Sequence, residues 1–170
     1  IIRFDWKFNK VKYIGKEIFE ANYDENYLRQ QYEIVNGKLY MPFTDRNNIL
    51  VFDLEKEAID ILMLEKGEGW STIDYIDNVM WMAAWKSNEI YKWDLRTHEV
   101  IKYDFPYEMN TGKYKFAFSY VAGKKIFYFP VTGDKIISFD YISGRIDCAI
   151  ESGIITDEPL STYSLLKSKK

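Results

Sequence analysis

Ser71-Thr72-Ile73-Asp74-Tyr75-Ile76-Asp77-Asn78-Val79-Met80-Trp81-Met82-Ala83-Ala84-Trp85-Lys86-Ser87-Asn88-Glu89-Ile90-Tyr91-Lys92-Trp93-Asp94-Leu95-Arg96-Thr97-His98-Glu99-Val100-Ile101-Lys102-Tyr103-Asp104 is the stretch whose reading decides the fold. It divides into runs 71–77, 79–85, 89–95 and 99–104, rich in aromatic and β-branched side chains. Such residues suit a pleated, half-buried surface. Lys86-Ser87-Asn88 and Arg96-Thr97-His98 interrupt the runs with turn chemistry. Short extended runs joined by tight turns pair with their sequence neighbours, which makes this stretch a four-stranded antiparallel meander.

The chain on either side repeats the pattern. Runs 32–36, 38–43, 49–54 and 58–64 form one such unit, and 115–121, 125–131, 135–141 and 145–150 another. An aromatic-Asp pair closes the third run each time, as Phe52-Asp53, Trp93-Asp94 and Phe139-Asp140, and Phe4-Asp5 continues the series. The successive Asp spacings are 48, 41 and 46 residues. A second mark, an aromatic two residues before Pro or Ala, recurs as Tyr40 with Pro42, Trp81 with Ala83 and Tyr128 with Pro130. It precedes the Asp by 13, 13 and 12 residues. Turn residues Asn36-Gly37, Asn47-Asn48, Gly133-Asp134 and Ser143-Gly144 fall between runs.

Strands of this length at this spacing match the blades of a β-propeller. At the ends, 1–6 and 11–15 read as the third and fourth strands of a blade, and 161–166 as a lone first strand. The expectation is an all-β, β-propeller-like single domain over 1–170, with about three to four blades of four-stranded antiparallel meanders in an incomplete ring. Its parts are a blade remnant at 1–15, blades at 31–64, 71–104 and 115–150, and an extra strand at 161–166. Closed propellers usually have four to eight blades. The expected partner is therefore a second copy in a homodimer, or the remainder of a longer chain.

Lys92-Trp93-Asp94-Leu95-Arg96-Thr97 resembles the strand-three ending of a WD40 blade, and the unit length is similar to those of WD40 and kelch repeats. The Gly-His dipeptide of WD40 repeats and the adjacent glycine pair of kelch repeats are both missing. The resemblance implies the propeller superfold and no specific family.

Composition narrows the function classes. A net charge of -3 with interspersed signs offers no field for nucleic acid. Lys167, Lys169 and Lys170 read as a solvated tail. No apolar run is long enough to span a membrane. One cysteine, Cys148, excludes an intrachain disulfide and a multi-thiolate metal site, and one histidine, His98, excludes triads and histidine zinc sites. Gly67-Glu68-Gly69-Trp70 lacks the donors of a phosphate loop, and Asp45-Arg46-Asn47-Asn48 lacks the spacing of a calcium loop. Neither cofactor nor metal is implied. No signal peptide is visible and no native Met start is present, so the compartment stays open with the cytoplasm slightly favoured.

Asp5, Asp53, Asp94 and Asp140 are expected to cap the turns after the third strands. The connections 16–31, 65–70, 105–114 and 152–160 run to one end of a propeller and carry Phe19, Tyr23, Tyr27, Trp70, Tyr107 and Tyr114; Trp85 and Phe43 arrive from neighbouring loops. Trp70, Trp85, Tyr107, Tyr114, Tyr23 and Tyr27 are thus the expected ligand-binding residues, suited to a protein or glycan. Phe19, Tyr23 and Tyr27 also sit at helical spacing, as one inserted helix would place them. The function expected is a non-catalytic binding module. The competing class is a saccharide-acting hydrolase or lyase, in which Asp74, Asp77 and Glu89 would line a central funnel. A structural fragment of a larger propeller protein is the third reading.

Overall fold

A computed structural model describes residues 1–15, 31–106, 113–132 and 135–151. Four antiparallel sheets account for them. A two-stranded sheet, β1 (Ile2–Asp5) and β2 (Lys10–Tyr13), comes first. The first four-stranded sheet is β3 (Glu33–Val35), β4 (Lys38–Pro42), β5 (Asn48–Asp53) and β6 (Ala58–Met63). The second is β7 (Asp74–Ile76), β8 (Val79–Ala83), β9 (Glu89–Asp94) and β10 (Val100–Asp104). The third is β11 (Phe116–Ala122), β12 (Lys125–Pro130), β13 (Lys135–Asp140) and β14 (Arg145–Glu151). Every pairing joins consecutive strands, and no described residue is helical.

Side chains alternate across a strand, so a sheet buried on both faces needs apolar residues at successive positions. β8 and β9 show this. Met80, Met82, Tyr91 and Trp93 turn to the first sheet and join Val35, Ile49 and Val51 in one core cluster. Trp81, Ala83 and Ile90 turn the other way and join Phe116, Ile126, Tyr128 and Phe139 of the third sheet. A third cluster sets Ile14 and Ile1 against Phe43, Leu50 and Phe52, so the β1–β2 pair stacks on the first sheet as that sheet stacks on the second. The outer strands β6 and β10 alternate between exposed and more buried positions. The inner strands β3 and β11 each touch β7, as neighbouring strands around a propeller axis do. The sheets are propeller blades in an incomplete ring.

The first run of the second sheet starts earlier in the sequence pattern than as a strand. Regular pairing begins at Asp74 because the Thr72 hydroxyl takes a backbone N-H in place of a carbonyl before it. The Ser71 N-H donates to the Ala83 carbonyl at 2.8 Å, and Thr72 Oγ1 accepts from the Ala83 N-H at 3.1 Å. The helical insertion at 16–31, the extra strand at 161–166 and the Gly133-Asp134 turn lie outside the described residues, apart from Gln31.

Candidate functional site

The hairpins joining third and fourth strands share one geometry. Asp5 Oδ1 accepts from the Lys7 and Phe8 N-H groups, Asp53 Oδ1 from Glu55 and Lys56, Asp94 Oδ1 from Arg96 and Thr97, and Asp140 Oδ1 from Ile142 and Ser143, all at 2.8–3.2 Å. These N-H donors hold the Asp53, Asp94 and Asp140 carboxyls below their usual range. Four residues after each Asp the chain enters the left-handed region, at Asn9, Glu57, His98 and Gly144. His98 therefore occupies a conformational position in a turn that three other residue types fill elsewhere. It is exposed.

At the end of the ring bearing the long connections, Trp85 follows β8 and Tyr114 precedes β11. Their rings stack at 4.7 Å between centroids with an interplanar angle of 19°. The Lys115 N-H donates to the Trp85 carbonyl at 3.0 Å, which fixes the connection against the β8–β9 loop. Lys113 Nζ lies 5.4 Å from the Tyr114 ring centroid, a cation-π arrangement. Both rings are half-buried. Trp70 departs from the sequence expectation: it is 0% exposed and meets Tyr91 edge-on at 6.2 Å in the core. Pairing of Trp70 with Ala84 draws it inward, and Gly67 leaves room for its ring, because a Cβ there would lie 2.5 Å from it. Trp70 is a packing residue, not part of the surface. Phe43 is buried likewise, under the Arg46 guanidinium. Tyr23, Tyr27 and Tyr107, with Phe19, lie outside the described residues.

A second constellation lies on the inner strands. Strand register sets Glu33 opposite Tyr40, Asp74 opposite Trp81 and Ser119 opposite Tyr128, so these three occupy the same position in successive blades. They are stitched together. Ser119 Oγ donates to Asp74 Oδ2 at 2.5 Å, and the Glu33 carboxyl faces the Tyr75 backbone N-H. Gln31 spans the first and third blades: its Nε2 donates to the Ile73 carbonyl at 3.0 Å and to Ser119 Oγ at 2.8 Å, and its Oε1 accepts from the Ser119 N-H at 3.2 Å.

Burial pushes the Asp74 carboxyl up to about 7; the Ser119 hydrogen bond opposes that rise and the Glu33 charge adds to it. Burial also raises Glu33, against the Tyr75 N-H. The Tyr128 hydroxyl is buried near Asp74 with no hydrogen-bond partner among the described residues.

The other carboxylates weighed from sequence do not converge on Asp74. Asp77 forms the β7–β8 turn, whereas Glu89 opens β9 at the opposite end of the sheet, on the order of 15 Å along the strands. Burial works to raise Glu89, but hydrogen bonds from Ser87, Tyr91 and Lys102 outweigh it and hold the carboxyl below its usual range. Sequence reasoning missed Glu33, Gln31 and Ser119. A signal existed for one: Glu33, like Asp74, stands seven residues before the repeated aromatic.

No protein-family model matches the chain, and no curated protein matches it. Solved structures do. A streptogramin B lyase aligns at a TM-score of 0.63 with 17% identity, over 86% of this chain and 46% of that one. Virginiamycin B lyase from Staphylococcus aureus aligns at 0.63 with 14% identity, over 89% of this chain and 49% of that one. An auxiliary nutrient binding protein from Bacteroides thetaiotaomicron aligns at 0.60 with 13% identity, over 90% and 37%. This chain spans less than half the length of each. At such identities the likeness establishes the fold alone, a β-propeller type.

Proposed function

We propose that this chain is a binding module whose end face takes a protein or glycan ligand on the Trp85 and Tyr114 rings. The observation that carries this reading is their stacked, half-buried arrangement between two blades. Flat rings held in a fixed orientation present a large contact area at little entropic cost, and they stack on sugar C-H faces or on side-chain rings. Titration with a panel of neutral and acidic oligosaccharides, read by tryptophan fluorescence, tests it. Saturable binding that Trp85→Ala and Tyr114→Ala each weaken by roughly 30-fold, the about 2 kcal/mol of a binding hot spot, is the expected result. Binding untouched by both substitutions would assign the ligand elsewhere.

One observation favours a second reading, a saccharide-acting hydrolase or lyase at the axis. A carboxyl titrating near neutrality suits general acid-base work, and Asp74 has a carboxylate neighbour in Glu33. Turnover of an oligosaccharide that survives both Asp74→Asn and Glu33→Gln would remove this reading.

A second copy of this chain is proposed to cover the open end of the stack. Ile2 pairs with Tyr13 and Phe4 with Val11 on one face of the two-stranded sheet, and all four are exposed. At the other end, the third blade presents Phe118 with Phe129 and Tyr120 with Phe127 on its outward face. The two faces continue the stacking in opposite senses, so copies join head to tail, and the ring closes where two chains complete the turn. Two copies also match the length of one neighbouring ring.

A further inference from the structure

The repeat provides an internal control on how the blades pack. Register aligns Leu62 of the first blade with Tyr103 of the second, since Leu62 pairs with Ile49 and Tyr103 with Ile90. In the same way Trp93 and Leu95 of the second blade correspond to Phe139 and Tyr141 of the third. Between the second and third blades these positions are filled by rings: Trp81 lies 5.8 Å from Tyr103, 5.1 Å from Phe139 and 6.3 Å from Tyr141.

Between the first and second blades the corresponding space is open. Leu62 and Leu95 stand where tyrosines stand in the next junction, and Lys38 where Val79 stands. A cleft of about 520 Å³ results, floored by Tyr40, Val51, Leu62, Trp93 and Leu95. That volume lies in the range of small-molecule sites, which are mostly apolar with a few placed polar groups.

Trp93 lies deepest in that floor. Trp93 is 2% exposed, and its indole Nε1-H has no hydrogen-bond partner among the described residues. That N-H is itself closed to solvent, so the cleft meets Trp93 as apolar ring surface. Around the mouth, Lys38 and Lys56 are balanced by Asp53 and Asp60. The rim therefore selects no net charge.

We propose that this inter-blade cleft binds a small, neutral, flat apolar molecule, the ring lying against Tyr40 and Leu62 over the Trp93 floor. The site stands on the outer flank of the ring, apart from the Trp85 and Tyr114 face, and does not depend on the function proposed for that face.

The test uses 7-amino-4-methylcoumarin, a fluorescent aromatic lactone, titrated against the whole chain and read by fluorescence anisotropy. Single-site saturation is expected, together with a shift of the Trp93 indole N-H resonance in the ¹⁵N-labelled protein, assigned through Trp93→Phe. Leu62→Tyr transplants the residue of the filled junction, and Ala58→Trp bars the mouth from an exposed position that folding does not need. Each is expected to weaken binding roughly tenfold or more, while Trp85→Ala leaves it unchanged. No saturable binding at millimolar probe would overturn the proposal. So would binding that Leu62→Tyr and Ala58→Trp leave intact, or that Trp85→Ala abolishes.

Discussion

Replacing Asp74 with Asn should abolish the pH dependence of one part of this protein's stability. The folded chain holds the Asp74 carboxyl at about 7 against an ordinary value of 3.8, chiefly through burial. Between those two values the folded state binds a proton that the unfolded state releases. Stability from this group is therefore fully present below about pH 4, falls as pH rises, and levels off above about pH 7. At about 1.4 kcal/mol per pH unit, the loss is on the order of 4 kcal/mol, an upper figure because local relaxation reduces it. Asn has nearly the same shape and no charge, and can still meet Ser119 and Gln31. The variant should match the parent near pH 4 and exceed it by a few kcal/mol at pH 8. The turn carboxylates Asp53, Asp94 and Asp140 act in the opposite sense, losing their contribution at low pH, so the difference between the two proteins isolates Asp74. Urea unfolding of both from pH 4 to 8, followed by tryptophan fluorescence with the slope m held in common, measures it. Parallel pH profiles for parent and variant would refute the reasoning, as would a variant less stable at pH 8.

Two further outcomes are expected. Gly69→Ala should destabilise by about 3 kcal/mol or more: its φ is +117°, and a Cβ there would lie 2.1 Å from the Thr44 carbonyl oxygen, against backbone that cannot swing aside; thermal unfolding reads the shift. Light scattering after size exclusion should give about twice the 20.3 kDa chain mass, and Phe4→Ser with Tyr13→Ser should return it to one; a concentration-independent monomer in the parent would count against the two-copy ring.

The sheets were legible in the sequence because each blade must solve the same two problems. It has to turn a hairpin after the third strand and fill the second strand's packed faces. Asp53, Asp94 and Asp140 recur at the turn, and Tyr40, Trp81 and Tyr128 recur in the strand. Side chains at the axis meet no such common demand. Glu33, Asp74 and Ser119 share a position but not a residue type, so self-comparison passes over them. Likewise Trp70 and Trp85 look alike in sequence, each in an aromatic stretch beside a blade edge. What separates them is Gly67 and Gly69, which let the chain turn Trp70 into the core. The cleft beside Trp93 was hidden for another reason: Leu62 is an unremarked strand residue until register sets it against Tyr103.

Gln31 has a consequence for the order in which the chain assembles. Among the described residues every strand pairing joins sequence neighbours, so each blade can form from contacts local in the chain, a topology that favours fast folding. The hydrogen bonds from Gln31 to Ser119 are different, closing a loop across 88 residues. The chain entropy of that closure is about 4 kcal/mol by the logarithmic scaling of loop length, before any constant. Pre-formed and stacked blades lower that cost, which sets the tie late in assembly. Interactions that form after the rate-limiting step govern how fast a protein comes apart rather than how fast it folds. Gln31 is thus a kinetic clasp: its loss should leave the refolding rate almost unchanged and speed unfolding.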